Sequence, residues 1–195
     1  MGGSLTENEI LEYKKSEKHQ NIKNFVETGT YQGETTRLVS NYFDNVYTIE
    51  IMETLFRNSI ISSGGEHRIP NGPLIKGTIV NVYNMNFMYG DSVEMLKVIT
   101  PLVKDGSIFF IDAHQSGCDT GNNGTWVPLM EELEIILSTR LGPSIFIFDD
   151  VRLWKQKYWD WAHIDENRII QIFEKFNYTI EKSCELNDRF WIFTL

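Results

Sequence analysis

SIFFIDAH, residues 107–114, is a short apolar run that stops at an aspartate, and SIFIFDDV, residues 144–151, repeats the pattern with a pair of aspartates at its end. A strand with one wet face alternates apolar and polar residues. A near-continuous apolar run bounded by turn residues suits a strand buried on both faces, as in a parallel sheet between two layers of helices.

The flanking sequence agrees. Upstream, Asn24–Glu27 and VYTIEI, 46–51, read as strands rich in β-branched and aromatic residues, and Val80–Tyr89 carries the approach to a third. Helical spacing follows each of them, at Gly33–Tyr42, at Met52–Ser62 and after GDS at 90–92. Residues 63–78 hold several Gly and Pro and read as a loop, as does the Gly- and Asn-rich segment 115–126. Pro128 opens a helix to about Arg140, and another runs from Asp165 to Phe176. The chain closes with YTIEKSC and RFWIFTL, separated only by Glu185–Asp188, too few residues for a parallel crossover, so these strands pair antiparallel. The expectation is an α/β fold, a Rossmann-like, seven-stranded, mostly parallel sheet with helices on both faces and a C-terminal antiparallel hairpin. Residues 1–19 are expected to be a remnant of cloning followed by an exposed leading helix, and 20–195 a single domain, one that could be fused to others in the natural chain.

Composition bounds the function. Eighteen Lys plus Arg against 27 Asp plus Glu leave a net charge of −9, which repels phosphate backbones and argues against nucleic acid as partner. Cys118 and Cys184 are too few for a disulfide framework, no apolar run is long enough for a bilayer, and the polar start lacks a secretory signal, so a soluble cytoplasmic protein with no membrane partner is expected.

In open parallel sheets ligands bind beyond the carboxyl ends of the strands. Those ends here carry Glu27, Glu50, Asp91, Asp112 and the Asp149–Asp150 pair. Each alone reads as a cap or a solvated turn; their recurrence at successive strand ends reads as a site. A nicotinamide dehydrogenase would also place an acid near Glu50, but its G-x-G-x-x-G would need glycine where Tyr31 and Glu34 stand.

The order E-T-G-T-Y-Q-G, T-I-E, Y-G-D-S, F-F-I-D-A-H and F-D-D resembles class I S-adenosylmethionine-dependent methyltransferases over residues 20–195. It looks most like the metal-dependent O-methyltransferases acting on antibiotic sugars and catechols, with chlorovirus-type glycan-methylating domains as one home. The resemblance implies that Glu27 and Gly29 border the methionine end of the cofactor, that Gly33 lets the chain pass close, that Glu50 accepts from both ribose hydroxyls, and that Asp91 and Ser92 contact the adenine. Thr28, Thr30, Thr35, Ile51, Gly90 and Asp112 complete the implied cofactor set. Tyr31 stands where many relatives keep a glycine.

Strands ending in Asp112 and in Asp149–Asp150 are neighbours after a right-handed crossover. Three converging carboxylates repel unless a cation joins them, and all-oxygen ligation suits Mg²⁺, with Mn²⁺ or Ca²⁺ as substitutes. The resemblance implies the same ligand set, Asp112, Asp149 and Asp150. His114 is the candidate general base, Asp112 sharing the catalytic role, with His163 a weaker alternative and Gln115 where catechol-type relatives place a lysine. Trp126, Trp154, Tyr158 and Arg152 are the candidate substrate contacts, suited to the C–H faces and hydroxyls of a sugar. The expected activity is methyl transfer to a vicinal diol of a glycan or glycosylated small molecule. Alternatives are a catechol or phenol acceptor, or a cofactor-binding module without turnover. Related enzymes are commonly dimers, so a homodimer is among the assemblies implied.

Overall fold

The computed structural model describes residues 4–13, 15–114, 124, 126–154, 156 and 159–195, without the side chain of residue 159. Tyr158 and most of the 115–126 segment, Gln115 and Cys118 included, therefore lie outside the described residues.

Eight strands form one sheet: β1 (Asn24–Thr28), β2 (Asn45–Glu50), β3 (Ile79–Val82), β4 (Met85–Tyr89), β5 (Ser107–Ile111), β6 (Ile145–Phe148), β7 (Ile180–Leu186) and β8 (Arg189–Thr194), in the order β3-β4-β2-β1-β5-β6-β8-β7. The five from β4 to β6 are parallel, and β3, β8 and β7 add antiparallel pairings at the two ends. Strand order reverses between β1 and β5, and at such a switch point the following loops diverge and leave a crevice above the strand ends.

The sheet has one strand more than expected. Residues 79–89 are a hairpin, β3 turning into β4 through Tyr83 and Asn84, with Tyr83 at φ 54. No glycine marks that turn, and the alternation of VNVYNMNFMY runs straight through it.

Successive strand residues enter two different cores. Phe109, Ile111, Phe146, Phe148, Phe190 and Ile192 pack with helices α4 (Ser92–Ile99), α5 (Leu129–Ser138) and α7 (Glu166–Lys175). Their neighbours Ile108, Phe110, Ile145, Ile147, Trp191 and Phe193 face the opposite layer, with α1 (Glu7–Tyr13), α2 (Glu34–Val39) and α3 (Glu53–Ser62). This double burial is why β5 beyond Ser107 and the whole of β6 are apolar. Asp91 and Asp165 cap α4 and α7, their carboxylates accepting from the Glu94 and Arg168 backbone N–H groups.

The leading helix is not an exposed appendage. Leu5, Ile10 and Tyr13 are buried in the second core, and only Leu11 of its apolar residues is open to solvent. Buried Glu9 accepts from the Thr6 backbone N–H at 2.8 Å and from the guanidinium of Arg189 at 2.5 Å. An apolar spacing too thin for a free amphipathic helix is enough here because an ion pair anchors the polar side. Among the described residues no helix is long and apolar enough to cross a membrane.

Candidate active site

Gly29 leaves β1 at φ 83 and runs against the end of β5, so that a Cβ built on it would lie 2.7 Å from the Asp112 carbonyl oxygen. The Asp112 and Ala113 N–H groups donate to the Thr28 hydroxyl at 3.2 and 3.3 Å. The turn after β1 and the first residues after β5 are thus one packed unit.

Glu50 ties the next strand end to the same turn. One carboxylate oxygen accepts from the Tyr31 N–H and the other from the Met52 N–H, both at 2.9 Å. Each oxygen keeps a second lone pair, the acceptor set that two donating ribose hydroxyls require. Tyr31 adopts φ 49, the left-handed region a glycine enters freely, and its N–H is consumed by Glu50. A side chain at this position is therefore accommodated by pointing outward, half exposed. Burial raises the Glu50 pKa, against the backbone donors that favour the carboxylate.

Glu27 lies beneath the turn rather than on its open side, accepting from the Thr36 and Thr48 hydroxyls at 2.5 and 2.6 Å. Burial pushes its pKa up to about 8, with the charges of Asp112 and Glu50 acting in the same direction. Thr30 is bonded to Thr48, and Thr35 accepts from the Leu5 N–H on the side of the leading segment. These three support the turn from behind. Gly90 is buried, Ile51 and Asp91 are half-buried at the crevice, and Ser92 is buried in the first turn of α4.

Asp112, His114 and Asp150 converge, with one donor atom from each lying within 4.8 Å of the other two. His114 Nδ1 is 3.4 Å from Asp112 and Nε2 is 3.1 Å from Asp150. Burial disfavours the imidazolium, but contacts with the two carboxylates outweigh it and push the His114 pKa up to about 10. Each ring nitrogen thus faces a carboxylate that favours the protonated ring, and a bound cation would compete with that proton for the ring nitrogen. Trp161 packs edge-on against it, ring centroids 5.2 Å apart, and Val127 and Leu129 extend the apolar wall of the recess.

Asp149 lines the same recess as Asp112 and His114 but is not one of the three converging groups. Its carboxylate makes an ionic contact with the Arg189 Nε at 3.0 Å, and burial, then the Asp112 charge, raise its pKa to about 7. Asp150 occupies φ 58 and is buried; contacts with His114 and Arg152 overcome the burial cost and hold its pKa below the usual carboxylate value. Arg152, expected to meet substrate, is committed to Asp150 and Asp188. Trp154, expected on the substrate side, is buried against Phe148 and Phe190. Trp126 is half-buried against the first core, its backbone N–H donating to the Asp160 carboxylate. Tyr158 is outside the described residues.

One acid was missed from the sequence. Glu132, on α5, is fully buried; it accepts from the Thr28 hydroxyl at 3.3 Å, and its Oε1 has no hydrogen-bond partner among the described residues. Its signal was positional, since it lies on the buried stripe formed by Leu129, Leu133, Ile136 and Leu137. Burial pushes its pKa up to about 8. An unfolded glutamate titrates near about 4.3, so between that pH and 8 the folded state binds a proton the unfolded chain has released. This stabilisation is complete below the unfolded pKa and declines as pH rises through 8. Glu132→Gln should flatten the fall in melting temperature between pH 5 and 8 and match or exceed the parent at pH 8. Parallel melting curves with the same slope would show that Glu132 is ionised in the fold.

No protein-family model and no curated protein sequence matches the chain. Solved structures do. A Staphylococcus aureus protein assigned as a caffeoyl-CoA O-methyltransferase superposes with TM-score 0.56 at 17% identity, over 99% of this chain and 85% of its own. The methyltransferase domain of a bacterial Hen1 gives 0.56 at 11% identity over 96% of both chains. Aeropyrum pernix fibrillarin, solved with natively bound S-adenosylmethionine, gives 0.52 at 14% identity, over 89% of this chain and 66% of its own. The chain has the Rossmann-like fold of these methyltransferases.

Proposed function

We propose that the protein is a divalent-cation-dependent O-methyltransferase that moves a methyl group from S-adenosylmethionine to a hydroxyl of a vicinal diol, a sugar of a glycan or glycosylated metabolite. The observation that carries the reading is the meeting of two half-sites on one stretch of backbone. Residues 112–114 wall the Gly29 turn on one side and present Asp112 and His114 toward Asp150 on the other.

The donor set fits a cation. Three atoms within 4.8 Å of one another match one ion with ligand distances of about 2.0–2.6 Å. Asp112, His114 and Asp150 would hold it, and the nitrogen donor admits Mn²⁺ as readily as Mg²⁺. When bound, such an ion lowers the pKa of a coordinated hydroxyl and fixes its oxygen. The protein's own groups do the rest. Glu50 offers both oxygens to a ribose, Asp91 keeps an oxygen beyond its capping bond, and the tight Gly29 turn lets the backbone approach the methionine portion. Trp161, Val127 and Leu129 exclude water beside the acidic cluster. The net charge of −9 favours a neutral sugar over a polyanionic acceptor.

Calorimetric titration of S-adenosylmethionine with Mn²⁺ or with EDTA, followed by incubation with sugar diols and catechols and mass spectrometry, tests this. Cofactor binding and a methyl gain on a sugar diol that EDTA suppresses are expected. Tight cofactor binding with no acceptor ever methylated would instead favour a binding module.

A further inference from the structure

We propose that the β7–β8 connection is the device that sorts the two consecutive aspartates, Asp188 acting as a positioning residue that holds Asp150 in the cation site while Arg189 pairs with Asp149 at the wall of the same recess. The inference rests on the proposed cation site but concerns residues outside it.

Asn187 and Asp188 form a two-residue turn with φ 54 and 62. Positive φ at both positions is the primed geometry that fits the twist of a hairpin, and glycine is the residue that takes the second position at least cost. Aspartate stands there instead, and every acceptor it offers is in use. Its carbonyl oxygen accepts from the Val151 N–H at 3.0 Å, and Oδ1 from the Arg152 N–H at 2.7 Å. Oδ2 meets the Arg152 guanidinium, which also meets Asp150 Oδ1. The turn is therefore docked on the chain just after the acidic pair, through a buried aspartate, Asp150, whose left-handed backbone is unfavourable by itself.

The two Asp150 oxygens are divided by this contact. Oδ1 goes to Arg152, and Oδ2 is left facing His114 at 3.1 Å. The next residue, the first of β8, engages the other aspartate: buried Arg189 lies 3.0 Å from Asp149 and 2.5 Å from Glu9 of α1. The last residue of the turn and the first of β8 thus engage adjacent aspartates separately, and the second connection fastens the leading helix to the same point.

Asp188→Gly removes the carboxylate while making the turn easier to form, so the variant should fold with a melting temperature at or above the parent's. In the full chain, Mn²⁺ affinity is expected to fall about 10- to 100-fold, the range for losing a residue that orients a metal ligand. The affinity for S-adenosylmethionine should stay unchanged, and the ring resonances of His114 should shift in metal-free protein. Asp188→Asn, which keeps an oxygen for the Arg152 N–H, should restore part of both. Parental Mn²⁺ affinity together with parental His114 resonances in the glycine variant overturns the proposal. If the parent itself binds no Mn²⁺, the cation reading falls separately, and unshifted His114 resonances alone overturn the positioning role.

Discussion

Gly29→Ala is expected to destabilise the protein by about 2–5 kcal/mol, the sum of about 1–2 for a left-handed non-glycine residue and about 1–3 for overlap in packed surroundings. The overlap is with backbone, since the new methyl carbon would lie 2.7 Å from the Asp112 carbonyl oxygen and 3.0 Å from its carbon, and no rotamer relieves it. For a chain of this size the melting temperature should drop by roughly 5–20 °C. Moving the β1 turn off β5 also displaces the Thr28 and Asp112 backbones that frame the crevice, so binding of S-adenosylmethionine should be lost. Gly64→Ala is the matched control, with φ 79 but nothing within 4 Å of the added carbon. It should cost only the conformational part and leave the cofactor affinity intact. Equal melting shifts for the two variants would remove the close approach from the account.

Asp150→Ala should lower methyl transfer by about two to three orders of magnitude, the loss expected when several kcal/mol of cation stabilisation disappear. S-adenosylmethionine should bind as before, because Asp150 lies on β6's exit while Glu50 and Gly29 lie across the switch point. Asp149→Asn separates the geometry from the expectation drawn on sequence. As a ligand, Asp149 would be required for divalent binding. As the partner of Arg189 it should matter for stability instead, since its loss leaves a buried guanidinium with less compensation, and Mn²⁺ affinity should persist. Calorimetry with Mn²⁺ on both variants decides which aspartate serves the ion; loss in Asp149→Asn with retention in Asp150→Ala would reverse the assignment.

The contrast between the aspartates shows what sequence could and could not carry. The strands around SIFFI and SIFIF were legible because burial on both faces makes the positions after the leading serines apolar, a local signature. The helix starts near Asp91 and Asp165 were legible as well, and the caps found there bond within three residues. Which way Asp149 and Asp150 point was not, because that is set by Asp188 and Arg189, distant in the chain and joined to them only through β8 lying beside β6. Nor was the burial of α1, which depends on the same arginine meeting Glu9. The β3–β4 turn escaped because Tyr83 takes a positive φ without a glycine to announce it. Arg152, Trp126 and Trp154 looked like substrate contacts by residue type; their tertiary neighbours pair Arg152 with Asp150 and Asp188, half-bury Trp126 and bury Trp154, which the residue types alone do not reveal.

Anomalous diffraction from crystals soaked with Mn²⁺ and S-adenosylhomocysteine would test the central claim in one experiment. A single strong peak with Asp112, His114 and Asp150 atoms at about 2.0–2.6 Å, beside a nucleoside whose ribose meets Glu50, is the predicted result. A nucleoside in the crevice with no peak among those three side chains, or a peak ligated by Asp149 in place of His114, would contradict it.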